Sequence, residues 1–168
     1  YFMNYKNISG GPVPFKEIWC VDFEFRVDAG ERPWPVCMVA IEQISKRELR
    51  FWRDDLLKLQ KAPFDTGPSA LFVAFFNSAE LGCYLELGWP FPENILDLFV
   101  EHRVATNGQP PIFGNSLLGA LAFRGVPHID AVEKESMRTL ICGQTQWSDF
   151  EKRQILEYCA SDVKGLVA

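Results

Sequence analysis

Along the chain, apolar residues first alternate with polar ones and later recur at helical spacing. "EIWCVDFEF" (17–25), "WPVCMVAIEQI" (34–44) and "ELRFW" (48–52) read as three strands joined by the turn-like connectors "RVDAGERP" and "SKR", a meander. After the Pro- and Gly-punctuated loop "KAPFDTGPS", the unbroken apolar run "ALFVAFF" (70–76) predicts a strand covered on both faces. A helix follows from Ser78 to Leu87, with Gly88 placed where a helix stops. "ENILDLFVEHR" (93–103) reads as a short strand or turn leading into a helix. Three helical patterns close the chain: 116–125, 132–143 and 148–168.

The last of these has the strongest signals. Ser148 with Glu151 three residues on is a capping box, and Ile155, Cys159, Val163 and Leu166 form an apolar stripe. Tyr158 and Asp162 lie four apart on one side of this helix, with Asp162 at the edge of the stripe, so its carboxylate is expected off the solvated face. The chain ends within this pattern and begins without Met, as expected of a domain cut from something longer.

Composition narrows the classes. With 168 residues, 48% hydrophobic and 14% aromatic, the chain suffices for one well-buried core, and residues 1–168 are read as a single domain. A formal charge of −5 argues against coating nucleic acid electrostatically, though not against a local basic groove. The five cysteines are an odd set without a CxxC pair, which suits reduced core thiols in a cytosolic compartment. His102 and His128 lack partners at structural-zinc spacing. With no apolar run of about 18 residues and no leader pattern, the expectation is a cytoplasmic protein without a membrane partner.

One strand carries chemistry that its apolar setting does not explain. Strand side chains alternate, so Cys20, Asp22 and Glu24 share one face while Trp19, Val21, Phe23 and Phe25 take the other. Carboxylates two residues apart, roughly 6–7 Å, repel by about 2–3 kcal/mol at an effective dielectric near 20. A basic side chain, a raised pKa on one acid, or a bridging divalent cation would each compensate; an edge position in water would remove the need.

The order DxE on a first strand, an acid after a later apolar strand, and YxxxD on a final helix resembles the DnaQ-like 3′–5′ exonucleases of the DEDD group. It is most similar to the Tyr-containing subgroup found in proofreading domains of family A DNA polymerases. Asp22 and Glu24 match the first motif, and "YCASD" (Tyr158 to Asp162) matches the third; position 157, where the His-containing subgroup has its histidine, is Glu157. The resemblance spans residues 17–168 and implies an α/β, ribonuclease-H-like fold, a mixed sheet flanked by helices with the acids at one end. It also implies two divalent cations, Mg²⁺ or Mn²⁺. Asp22, Glu24 and Asp162 would ligate the ion carrying the attacking water, Asp22 would bridge to the second, and the Tyr158 hydroxyl would orient the water. Such ion pairs stabilise charge on both the attacking and leaving oxygens of a phosphodiester.

The second motif departs from the family. There an Asn is followed four residues later by Asp; here Asn77 is followed three residues later by Glu80. Asn77 and Glu80 also read as an Asn version of the capping box, with no catalytic role. Glu80 is placed first because it follows directly on the carboxyl end of a buried strand, with Asp97 as the alternative acid. The implied activity is exonucleolytic hydrolysis from a single-stranded 3′ end of DNA, beside a polymerase domain elsewhere in a longer chain, with Asn77 near substrate. An RNA-trimming exonuclease of the RNase D type and a module that has lost catalysis and serves as a scaffold are the competing readings. Arg26, Arg32, Arg103, Lys134 and Arg138 are basic candidates for phosphate contact, read as solvated surface by default.

Overall fold

A computed structural model describes residues 14–27, 30–107, 109, 112–126 and 131–168. Parts of the connectors 26–33 and 106–115, together with His128, lie outside the described residues. Five strands, β1 (Glu17–Arg26), β2 (Trp34–Glu42), β3 (Glu48–Trp52), β4 (Ala70–Ala74) and β5 (Ile95–Asp97), form one mixed sheet in the order β3-β2-β1-β4-β5. β1 pairs antiparallel with β2 and parallel with β4; β2–β3 is antiparallel and β4–β5 parallel. Six helices flank it among the described residues: α1 (Arg53–Leu56), α2 (Asn77–Leu87), α3 (Leu98–Ala105), α4 (Leu117–Phe123), α5 (Ala131–Cys142) and α6 (Asp149–Val167). The architecture is α/β and compatible with a ribonuclease-H-like arrangement. No described helix is long and apolar enough to cross a membrane.

The alternation along β1 divides the core. Trp19, Val21 and Phe23 join Met38, Phe72, Cys83, Tyr84 and Trp89 on the α1/α2 side, where Tyr84 packs edge-on against Phe72 at 5.6 Å and Trp89 at 5.2 Å. Ile18 and Cys20 join Val36, Val73, Leu121, Ile155, Cys159 and Val163 on the α4/α6 side. Asp22 and Glu24 continue the latter face, so they meet α6, which packs across β1 and β2. Between Glu24 and Phe25 the register with β2 shifts, a bulge directly beside the two acids.

α6 begins as expected, with Ser148 Oγ accepting from the Glu151 N–H and Glu151 accepting from the Ser148 N–H at 2.7 Å. All of its stripe, Ile155, Cys159, Val163 and Leu166, is buried. Gly165 lets α6 approach α4, because a Cβ there would stand 2.9 Å from Leu121 Cδ1. Gly88 ends α2 in the left-handed region, φ 69°.

The start of α2 differs from the capping-box expectation. Phe76, not Asn77, is the N-cap residue, and no side chain caps the helix. Asn77 lies in the first turn, buried, its main-chain N–H donating to Asp97 Oδ2 at 3.0 Å. β4 turns abruptly into the helix through Phe75 and Phe76, and the neighbouring carboxylate supplies the acceptor that an Asn cap would have provided.

Candidate active site

Pairing of β1 with β4 ends at Cys20 and Val73; β1 then runs on to Arg26 while β4 turns away into α2. The gap opened at the carboxyl ends of these parallel strands is where sites of open α/β sheets form. β1 brings Asp22 and Glu24 to it half-buried, the first turn of α2 brings Glu80, and α6 brings Tyr158, Cys159 and Asp162. Glu80 and Asp162 are only 4% and 7% exposed, which for carboxylates demands an explanation.

Their electrostatics show that these acids crowd one another. Burial, then the charge of Asp162, pushes Asp22 up to about 8 from an ordinary value of 3.8, against the opposing influence of the Cys159 thiol and Lys134. Glu24 is driven well above its ordinary value by burial and then by Asp22. Glu80 is raised in the same way, again with Asp22 as its strongest charged neighbour. Asp162 is raised by burial, with the Lys134 ammonium and the Tyr158 hydroxyl working against the shift. Tyr158 is 8% exposed and its phenol is raised by burial and the facing acids, so it stays a neutral O–H. Glu157, by contrast, points to solvent and pairs with Arg50 at 2.5 Å, at the rim of a cavity beside Tyr158 rather than among the buried acids.

Donors to these carboxylates are scarce. Asp22 Oδ2 accepts from the Cys159 thiol at 3.3 Å, and Lys134 Nζ stands 3.7 Å from Asp162 Oδ2. Glu80 Oε2 and both amide atoms of Asn77 are buried without a hydrogen-bond partner. Buried polar atoms without a partner call for an explanation, which a water, an ion or a catalytic role can supply. Asp97, the alternative second-motif acid, is placed differently. It is the N-cap of α3, Oδ1 accepting from Phe99 N at 2.9 Å and Val100 N at 3.1 Å, and Oδ2 from Asn77 N. With its oxygens committed to two helix starts, Asp97 positions α2 and α3, while Glu80 faces Asp22.

One participant escapes sequence reasoning, and another, a phosphate-contact candidate by sequence, takes a different place. Cys159 was read only as part of an apolar stripe, yet its sulfur and one oxygen each from Asp22 and Glu24 lie within 4.8 Å of one another. Lys134 is the basic neighbour of the acids, reached from α5; a single Lys in a polar helix gives no local signal of that role. Near Tyr158 a cavity of about 320 Å³ opens between α5 and α6, lined by Met137, Phe150, Arg153 and Gln154 among others.

Among the described residues, the three ligand atoms that lie within 4.8 Å of one another are the Cys159 sulfur and one oxygen each of Asp22 and Glu24, with Glu80 and Asp162 interacting with Asp22 by charge from outside that group; the carboxylate oxygens suit hard divalent ions and the thiol does not. Comparison with family models, with curated proteins and with solved structures finds no significant match to this chain.

Proposed function

We propose that this chain is a divalent-cation-dependent 3′–5′ exonuclease acting on the single-stranded 3′ end of DNA. The observation that carries this reading is the convergence of Asp22, Glu24, Glu80 and Asp162, short of donors, on the carboxyl ends of β1 and β4 beside the neutral Tyr158 hydroxyl. Asp22, Glu24, Asp162 and Glu80 would hold two Mg²⁺ or Mn²⁺ ions. Bound there, the ions would supply a nucleophilic water at neutral pH and neutralise the scissile phosphate.

The chain's own groups do the rest. Tyr158 donates a hydrogen bond that orients the attacking water, and its fixed place on α6 keeps that orientation independent of solvent. The apolar walls of the cavity beside it, Met137 and Phe150, offer surfaces for the terminal base, and Arg153 a counter-charge for phosphate. Burial of the acids concentrates their field on whatever cation they bind.

Lys134 favours one competing reading. Its ammonium beside Asp162 supplies a positive charge that a scaffold module without catalysis would use in place of an ion. Digestion of matched 3′-single-stranded DNA and RNA oligonucleotides with Mg²⁺, Mn²⁺ or excess chelator separates these outcomes. Mononucleotide release from DNA, abolished by chelator, is expected. Preference for RNA shifts the substrate class, and inertness on both substrates with either ion leaves the scaffold.

A further inference from the structure

Cys159 occupies a place where the proposed hydrolysis has no use for sulfur. Its Sγ lies 3.3 Å from Asp22 Oδ2 and 3.4 Å from the Asp22 carbonyl oxygen. Sγ and one carboxylate oxygen each from Asp22 and Glu24 fall within 4.8 Å of one another. Tetrahedral zinc, with bonds of ~2.3 Å to sulfur and ~2.0–2.2 Å to oxygen, needs ligand atoms at about 3.5 Å, a contraction that side-chain rotation can supply. Independently, Glu80, whose strongest charged neighbour is Asp22 of this group, keeps Oε2 buried and without a hydrogen-bond partner.

We propose that Cys159, Asp22 and Glu24 form a mixed thiolate–carboxylate site for a thiophilic divalent ion such as Zn²⁺. The S–H proton passes to water as the Zn–S bond forms, and the ion remains Zn²⁺ throughout. Thiolate ligation selects zinc over magnesium, which prefers oxygen ligands in octahedral geometry. Because Asp22 and Glu24 serve both arrangements, a zinc ion held by Cys159 excludes the hard ions. That consequence, inhibition of Mg²⁺-supported cleavage by trace zinc, rests on the exonuclease reading; the site itself does not.

The test is titration of metal-free protein with Co²⁺ in the absence of nucleic acid. Saturable thiolate-to-cobalt charge-transfer absorption in the near ultraviolet, displaced by Zn²⁺, is expected. Cys159→Ala and the near-isosteric Cys159→Ser, each verified as folded by circular dichroism, should lose the band and weaken Zn²⁺ binding on the order of 10- to 100-fold. Cys142→Ser, at the exposed thiol, should keep it. Absence of the band in the folded parent, or its survival in Cys159→Ser, overturns the proposal. A band without Mg²⁺-dependent cleavage retains the zinc site and removes the nuclease reading; cleavage without the band does the reverse.

Discussion

Glu42 and Asp22 are acids on adjacent strands whose protons behave in opposite ways. Glu42, 3% exposed at the end of β2, accepts from the N–H groups of Ile18, Ile44 and Ser45 and so ties the β2–β3 turn to β1. Burial works against its charge, yet those donors hold its carboxyl down at about 2. Asp22, toward the other end of β1, has one weak thiol donor and acidic neighbours, and is pushed up to about 8. Burial alone therefore does not mark a functional acid; the supply of donors does. In its supply of N–H donors Asp97 resembles Glu42, and in its lack of them Glu80 resembles Asp22.

The largest effects should come from truncating one acid of each kind. Glu42→Ala leaves the buried Ile18 N–H and the part-buried N–H groups of Ile44 and Ser45 without their acceptor and is expected to cost about 2 kcal/mol, read by chemical denaturation. Asp162→Ala should leave stability unchanged or raised, since it relieves repulsion, while removing nearly all nuclease activity. Equal losses of stability in both would erase the distinction. Next comes Glu80→Gln against Asp97→Asn. The first is expected to lower cleavage about 100-fold with little change in melting temperature. The second should cost about 1 kcal/mol as a weakened cap and leave cleavage nearly intact. The reverse pattern would move the second-motif role to Asp97.

Tyr158→Phe should slow cleavage on the order of 10-fold, removing one water-orienting hydrogen bond and no cation ligand. A separate effect, read on stability alone and not on cleavage, is a drift of stability with pH in divalent-free solution. The folded state holds the Asp22 proton more tightly than the unfolded chain, so this contribution is full below pH ~4 and is lost as pH rises through about 8. The slope should not exceed about 1.4 kcal/mol per pH unit for this group. Asp22→Asn should reduce it, leaving the part that the likewise raised Glu24, Glu80 and Asp162 carry; Glu42 acts with the opposite sign and only at lower pH, as its carboxyl protonates near 2.

Much of this contrast was legible in the residues. Strand alternation put Asp22 and Glu24 on the face that meets α6, the Ser148–Glu151 box set where α6 starts, and four-residue spacing placed Tyr158 with Asp162. Features created by tertiary contact were not legible. Asn77 looks like a cap until the abrupt end of β4 and the nearby Asp97 carboxylate are known. Cys159 looks like core until Asp22 is found at its sulfur, and Lys134 like surface until α5 brings it to Asp162. Glu42 sits in an apolar strand with no local sign that three N–H groups await it. The short helix α1, in a stretch to which the sequence pattern assigns no element, is fixed by Leu56 packing beneath β2 rather than by a periodic pattern.

The central claim is that the acids around Asp22 are a cation site, and Mn²⁺ binding measured by electron paramagnetic resonance tests it most directly. The parent protein at pH 8 should deplete the free Mn²⁺ signal saturably. Binding should weaken at least 10-fold in Asp22→Asn and Glu80→Gln and stay unchanged in Asp97→Asn. Absence of saturable binding by the folded parent, or equal binding by Asp22→Asn, would contradict the account.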